Sequence, residues 1–223
     1  MVMISHASID ERGNIVGGKS GDQTGKEVCT RPYYSKGWNV VVRMKTPAMR
    51  EKVADCMVKA VDNNYIGYNQ ARRMTLINYA RNVGYDPSKV TTPCDCDCSS
   101  LVTLACIYAG IREASLIVGG NAATTSTLRK RLQATGAVDI FTSKDYTMSD
   151  KKLLVGDILI REGAHTAVVV QTDNKEEKKS VHEIALETID GKWGNGGERV
   201  MRLTQAGYNA TEVQQEINRI LKR

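Results

Sequence analysis

The pattern of apolar and polar positions predicts three helices in the first half of the chain. One begins at Thr46-Pro47, where Thr46 provides an N-cap and Pro47 suits the first helical turn. A second spans about 69–83, with an apolar stripe at helical spacing. The third, at 98–109, is apolar on nearly every side and ends at Gly110, so we expect it to be buried in the core.

Strands are expected mostly after these helices. Residues 38–43 are rich in valine and predict a strand. The runs 153–160 and 165–171 are joined by a glycine-containing turn, which is typical of a β-hairpin. Residues 8–35 are rich in glycine and polar side chains and predict turns and loops. Because most helices precede most strands, we expect an α+β fold with an antiparallel sheet.

The last part of the chain has a pattern of its own. Residues 172–180 are charged and lack large apolar side chains, which is typical of a linker. Three helices are predicted beyond them, at about 182–190, 197–206 and 211–222. We therefore expect two domains, at 1–174 and 181–223, joined by a linker at 175–180, with the second domain a small three-helix bundle.

Charge and composition limit the kinds of target that the protein is expected to bind. The chain has a formal net charge of +6, and because the tail from residue 183 onward is neutral, the whole excess lies in the body. A basic body favours a polyanionic target, either nucleic acid or an anionic cell envelope. One Phe and two Trp supply few rings for base stacking, which argues against nucleic acid.

The sequence also bears on the compartment. It contains no run near the roughly 18 apolar residues that a membrane helix needs. The first residues lack the basic and apolar segments of a signal peptide. We therefore expect a protein made in the cytoplasm, with no membrane partner and no nucleic-acid partner.

Cysteine usage suggests free thiols. The chain contains six cysteines, Cys29, Cys56, Cys94, Cys96, Cys98 and Cys106. In a reducing compartment these stay unpaired. The alternating run Cys94-Asp-Cys96-Asp-Cys98 is spaced too tightly for a usual zinc site, so we expect no metal and no cofactor. Cys56 and Cys106 fit core packing, whereas Cys94 and Cys96 are expected in a loop.

Cys98 is the candidate nucleophile, because it stands where an extended segment meets the buried helix. The positive end of a helix lowers the pKa of a thiol there. Among the histidines, His165 opens a strand directly after the glycine turn and has a rigid scaffold. By contrast, His6 lies in a terminal stretch without an organised context, and His182 lies at the edge of the neutral tail. The sequence therefore predicts catalysis by Cys98 and His165.

A third residue should orient the imidazole, and the sequence leaves its identity open. Asp22 and Gln23 in the glycine-rich loop are candidates, and so is Asp173 after the last strand. Gln23 could instead donate a hydrogen bond to an oxyanion.

The segments 97–102, 156–160 and 165–168 resemble the papain-like peptidoglycan hydrolases of the NlpC and CHAP type. Residues 18–28 also resemble the N-terminal part of phage amidohydrolases of this sort, so the resemblance covers most of residues 5–172. It implies a cysteine that opens a helix packed on an antiparallel sheet and a histidine that begins a strand, here Cys98 and His165. The chain departs from the pattern after His165, where the further strand that often supplies the third polar residue is not evident.

The tail resembles the CW-seven cell-wall-binding repeat of phage lysozymes, through Ile189-Asp-Gly-Lys-Trp-Gly-Asn-Gly-Gly-Glu-Arg199 and the residues that follow. This resemblance implies a three-helix module that binds the sugar–peptide unit of peptidoglycan. Lys192 and Arg199 are candidates to hold carboxylates, and Tyr208 is a candidate to stack on a sugar or peptide. Trp193 and Leu203 fit the core of so small a bundle better.

The resulting hypothesis is a phage endolysin that hydrolyses amide bonds in peptidoglycan by cysteine–histidine catalysis. The bond is left open between a stem-peptide or cross-bridge endopeptidase and an N-acetylmuramoyl-L-alanine amidase, and so is the oligomeric state. The resemblance also implies an enzyme that waits in the host cytoplasm until the membrane is breached. The first alternative is a non-catalytic cell-wall-binding protein. The second alternative is a nucleic-acid binder. The third is a redox or zinc protein that uses Cys94, Cys96 and Cys98.

Overall fold

A computed structural model describes residues 1–35, 37–175 and 179–222. The chain divides into two compact units, Met1–Lys175 and Glu176–Arg223. Residues 176–178 of the expected linker lie outside the described residues.

The first unit combines strands and helices, in agreement with the expected α+β class. Its strands are β1 (Met3–Ala7), β2 (Val28–Pro32), β3 (Val40–Met44), β4 (Ile66–Tyr68), β5 (Cys94–Cys96), β6 (Ile117–Val118), β7 (Asn121–Ala122), β8 (Val138–Phe141), β9 (Ile158–Arg161) and β10 (His165–Gln171). Its helices are α1 (Pro47–Val61), α2 (Thr75–Arg81), α3 (Cys98–Tyr108), α4 (Glu113–Leu116), α5 (Leu128–Ala134) and α6 (Lys144–Thr147), with a 3₁₀ turn at Pro87–Lys89.

The main sheet is antiparallel and has the strand order β2-β1-β10-β9-β3-β8. Because strand side chains alternate between faces, the sheet contributes to two cores. On one face Val42, Ile158 and Val168 join the large core that includes α1 and α3. On the other face Ile4 and Trp38 belong to a smaller core.

The helices begin where local capping groups allow. The Thr46 side chain accepts a hydrogen bond from the backbone of Met49, and Pro47 occupies the first turn of α1, as predicted. At α3, Asp97 and Ser100 form a reciprocal capping box, and residues 98–107 are all buried. The second helix is shorter than expected, since α2 begins only at Thr75.

The Gly156-Asp157 pair has a structural role in the sheet. Gly156 has φ +85°, and a Cβ there would lie 2.2 Å from the carbonyl oxygen of Arg50, so no side chain fits. The fully buried Asp157 carboxylate accepts two hydrogen bonds of 2.7 Å from the Arg43 guanidinium and one from the backbone of Leu154. These contacts attach the turn that precedes β9 to strand β3.

Two expectations about the first unit are wrong. Strands β1, β2 and β3 precede the first helix, so the expected order of helices before strands does not hold. Strand β2 lies within the segment 8–35 that was expected to be loop throughout. Strand β1 was missed because its partner β10 lies more than 150 residues away, and β2 was missed because a glycine-rich loop separates it from its partner β1.

The second unit contains α7 (Val181–Ile189), α8 (Gly196–Gln205) and α9 (Ala210–Leu221), close to the three predicted helices. Its core is formed by apolar side chains from all three, Ile184, Ala185, Leu203, Val213 and Ile217. Among the described residues, no helix has both the length and the apolar character needed to cross a membrane.

Candidate active site

The start of α3 lies against the start of β10. Cys98 is the first residue of α3 and is 6% exposed. The backbone N–H groups of Thr166 and Ser99 lie close enough to its sulfur to favour the ionised form of the thiol. Since Thr166 directly follows His165, the fold brings Cys98 next to the first residue of β10.

His165 is held by a second histidine. Nδ1 of His6 lies 2.8 Å from Nε2 of His165. Strand β1 pairs with β10 in an antiparallel ladder, which aligns the two rings. His6 is only 4% exposed. The expectation that His6 lacks an organised context is therefore wrong, because β1 is a central strand whose order depends on residues 159 positions away.

Three planar side chains form a column beside this pair. The Trp38 ring stacks on His165 with 6.0 Å between centroids, and the Tyr34 ring centroid lies 5.1 Å from that of Trp38. The Trp38 indole N–H donates a 2.6 Å hydrogen bond to the Tyr34 carbonyl oxygen. We call Tyr34, Trp38 and His165 the aromatic column. It restricts rotation of the His165 ring.

Burial disfavours charge throughout the site. It raises the pKa of Cys98 to about 12, and the neighbouring Asp97 carboxylate acts in the same direction. Burial also lowers the pKa of His165 to about 4, assisted by the cations of Arg31 and Arg161. The pKa of His6 is likewise lowered to about 4, first by burial and then by His165. At neutral pH the thiol and both imidazoles are therefore uncharged, and the expected ionisation of Cys98 by the helix start is outweighed by desolvation.

The other candidates for the third residue have different partners. The Asp22 carboxylate accepts hydrogen bonds from the backbone N–H groups of residues 24–28. The Gln23 amide donates to the carbonyl oxygens of Ser20 and Gly21. Asp173 pairs with the chain's amino terminus at 2.8 Å. The structure places His6 in contact with His165, and the roles considered for Asp22, Gln23 and Asp173 stay predictions.

Two arginines hold the segment that leads to Cys98. Nε of Arg73 donates to Asp97 at 2.6 Å, and its Nη2 donates to Ser99 at 2.9 Å. The same guanidinium reaches the carbonyl oxygens of residues 122 and 123. Arg72 pairs with the buried Asp95 carboxylate at 2.6 Å. These contacts fix the position at which α3 begins.

The neighbouring cysteines are part of the core. Cys94 and Cys96 lie in β5 and are fully buried, so the expectation of a loop is wrong. Their thiols lie 3.5 Å from the carbonyl oxygens of Tyr65 and Gly67, because β5 pairs in parallel with β4. Cys56 and Cys106 are also fully buried in the large core, as expected.

A tyrosine hydroxyl lies near the sulfur. Tyr68 ends β4, and its hydroxyl accepts a 3.1 Å hydrogen bond from the Gln70 amide. Burial raises the pKa of Tyr68, and the Asp97 carboxylate, like Cys98 when it is ionised, acts in the same direction. The Tyr68 hydroxyl therefore keeps its proton at neutral pH.

Comparison with known families decides the assignment. The family model described as the endolysin-like domain matches residues 4–176. The chain belongs to the endolysin-like domain family. The model of the CW_7 repeat matches residues 182–221. Neither a curated protein nor a solved structure matches the chain.

An endolysin-like domain followed by a CW_7 repeat is the architecture of a protein that acts on the cell wall, and the repeat implies binding to peptidoglycan. The wall-contact residues expected in the repeat lie on its surface or at its edge. Lys192 is exposed, and Arg199 donates a 2.7 Å hydrogen bond to Gln214. The Tyr208 ring packs edge-on against Trp193, with 6.0 Å between centroids. Leu203 is buried in the core of the repeat, as expected.

Several groups at the site of the endolysin-like domain were not predicted from the sequence. These are His6, Tyr34, Trp38, Tyr68 and Arg73. For His6, the apolar Val2 and Ile4 at alternate positions before it were a usable strand signal. The others reach the site only through long-range pairing.

Proposed function

We propose that the endolysin-like domain is a phage cysteine amidohydrolase that cuts amide bonds in peptidoglycan. Cys98 is the nucleophile, His165 transfers the proton, and His6 holds His165 in the required tautomer. The observation that supports this most directly is the 2.8 Å contact between His6 Nδ1 and His165 Nε2, together with the position of Cys98 near the backbone of Thr166, the residue after His165.

The contact between His6 and His165 limits which ring nitrogens can carry a hydrogen. If Nε2 of His165 faces His6, then Nδ1 of His165 is the atom that remains to accept the thiol proton. That requires a hydrogen on Nε2, donated to an unprotonated Nδ1 of His6. A protonated His6 would occupy Nδ1 with a hydrogen and disable the relay. The lowered pKa of His6, about 4, keeps it uncharged at neutral pH, and its tautomer with the hydrogen on Nε2 leaves Nδ1 as the acceptor.

The reaction then runs as two acyl transfers. The Cys98 sulfur attacks the amide carbonyl carbon while its proton passes to Nδ1 of His165. Backbone N–H groups at the start of α3 and the Tyr68 hydroxyl stabilise the oxyanion. His165 protonates the leaving amine, and the C–N bond breaks. Water, deprotonated by His165, then hydrolyses the thioester and releases the carboxylic acid and the thiol.

The pair is neutral before substrate binds. Burial penalises a thiolate and an imidazolium separately, as the opposite shifts of the two pKa values indicate. Proton transfer therefore accompanies attack instead of preceding it. The stacked Trp38 keeps the imidazole oriented for this step.

The CW_7 repeat supplies the polymer-binding function of the same protein. A tether to the wall raises the local concentration of substrate amides around the catalytic unit. The basic charge of the chain suits an anionic envelope. We further propose that the protein stays in the host cytoplasm until the membrane is breached.

The test compares wild type with Cys98→Ala on purified bacterial walls. We expect the wild type to clear the suspension and Cys98→Ala to leave it turbid while still sedimenting with the walls. Mass spectrometry of the released fragments identifies the bond. New amino termini within stem or cross-bridge peptides indicate an endopeptidase, and free muramoyl groups indicate an amidase. A wild type that binds walls without releasing fragments would support the non-catalytic alternative.

A further inference from the structure

A cavity of about 380 Å³ opens beside His6. One wall consists of His6, Cys29 and Arg31, and the rest comes from the loops at 8–13 and 24–26. The register of β1 and β2 places His6 opposite Cys29, with Arg31 two residues further along β2 on the same face. The cavity therefore adjoins the proposed proton relay.

The acidic groups of the cavity wall are hydrogen-bonded within the protein, except for Oε2 of Glu11, which is buried without a hydrogen-bond partner. The Asp10 carboxylate accepts hydrogen bonds from the backbone of Arg12 and Asn14 and from the Arg12 guanidinium. Glu11 accepts from the backbone of Lys19 with one oxygen, and its other oxygen is buried against Gly18. Neither carboxylate neutralises the cations across the cavity.

The cationic groups are available. Within the described ranges 1–35, 37–175 and 179–222, Arg31 and Lys26 have no carboxylate partner, and the Arg31 side chain is exposed. The Arg31 guanidinium lies over the Tyr34 ring, 5.1 Å from its centroid. Arg31 thus lies against the aromatic column, and its charge acts on both histidines, whose pKa values it lowers.

We propose that Arg31 binds a carboxylate of the peptide stem, so that the enzyme selects acidic stems over amidated ones. This inference rests on the proposed amidohydrolase function. Stem peptides present carboxylates at two places, on the γ-linked glutamate within the stem and at the stem's C-terminus. A guanidinium pairs with a carboxylate through two parallel hydrogen bonds, which an uncharged carboxamide cannot match.

The experiment uses the full chain and three muropeptides of one sequence. One is the free acid, one has the glutamate carboxylate amidated, and one has the C-terminal carboxylate amidated. We expect the wild type to cut the free acid with about tenfold higher kcat/KM than one of the two amides, and that amide identifies the bound carboxylate. Arg31→Gln should lower kcat/KM on the acid to the level of the amide, whereas Arg31→Lys should retain part of the preference.

Arg161→Gln is the matched control. Like Arg31, Arg161 places a cation near His165, but it lies on β9 and is not part of the cavity wall. This variant should keep the preference for the acid. Equal cleavage of all three peptides by the wild type, or an unchanged preference in Arg31→Gln, would overturn the role of Arg31. Neither result would contradict the proposed amidohydrolase function. Cleavage of none of them, together with failure to lyse walls, would overturn the proposed function and this inference with it.

Discussion

At the scale of single residues, the site depends on groups that burial keeps uncharged. Cys98 is a thiol at neutral pH, because its pKa is raised to about 12. His165 is a neutral base over the same range, because its pKa is lowered to about 4. The proposed chemistry therefore needs a good proton acceptor in the right tautomer more than it needs a stored thiolate.

The uncharged state of Cys98 and His165 predicts how thiol alkylation and kcat/KM depend on pH. Since a raised thiol pKa leaves little thiolate at pH 7, alkylation of Cys98 by iodoacetamide should be slow there and should accelerate steadily as the pH rises above 8. Since a lowered imidazole pKa preserves the base in acid, kcat/KM should persist below pH 6.5 and fall only toward pH 4. Labelling of Cys98→Ala gives the background from other thiols. Fast, pH-independent labelling between pH 5 and 7 would contradict the neutral pair.

The role of His6 is separable by substitution. His6→Ala removes the acceptor for Nε2–H of His165, so kcat should fall about a hundredfold with little change in KM. His6→Asn keeps a hydrogen-bond acceptor near the position of Nδ1 and should recover part of the loss. Steady-state kinetics on a soluble muropeptide measures both. Equal kcat for wild type and His6→Ala would show that His165 needs no such partner.

At the scale of elements, the start of α3 depends on Asp97, which caps the helix and pairs with Arg73. Asp97→Ala removes both contacts, whereas Asp97→Asn retains the cap and loses the charge. We expect the alanine variant to be less stable than the asparagine variant by about 1 kcal/mol. Urea unfolding at pH 7 measures the difference. Equal midpoints for the two variants would mean that the cap contributes nothing measurable.

The elements that the sequence predicted are those with local signals. Thr46, Pro47 and the apolar run ending at Gly110 lie within their own helices or directly beside them, so α1 and α3 were found. Strand β1 has a short apolar run, and its order comes from β10, more than 150 residues later. Cys98 and His165 could be singled out because each begins a recognisable element. His6 could not, because its role exists only once β1 and β10 have paired.

At the scale of the whole molecule, cutting and binding should be separable, since the two units have separate cores. Leu203→Asp buries an unpaired carboxylate in the small core of the CW_7 repeat and should unfold it. This variant should lose sedimentation with walls but retain cleavage of a soluble muropeptide. Cys98→Ala should show the opposite pair of results. Loss of both activities in Leu203→Asp would indicate that the endolysin-like domain depends on the repeat.

The place of β1 between β2 and β10 has a consequence for biosynthesis. A ribosome releases β1 first, but the strand that aligns His6 with His165 emerges only after residue 171 has been added. Every shorter nascent chain lacks the histidine pair. Long-range strand pairing of this kind is also slow to form. Under the proposed mechanism, hydrolytic activity therefore arises only with nearly complete translation of the endolysin-like domain.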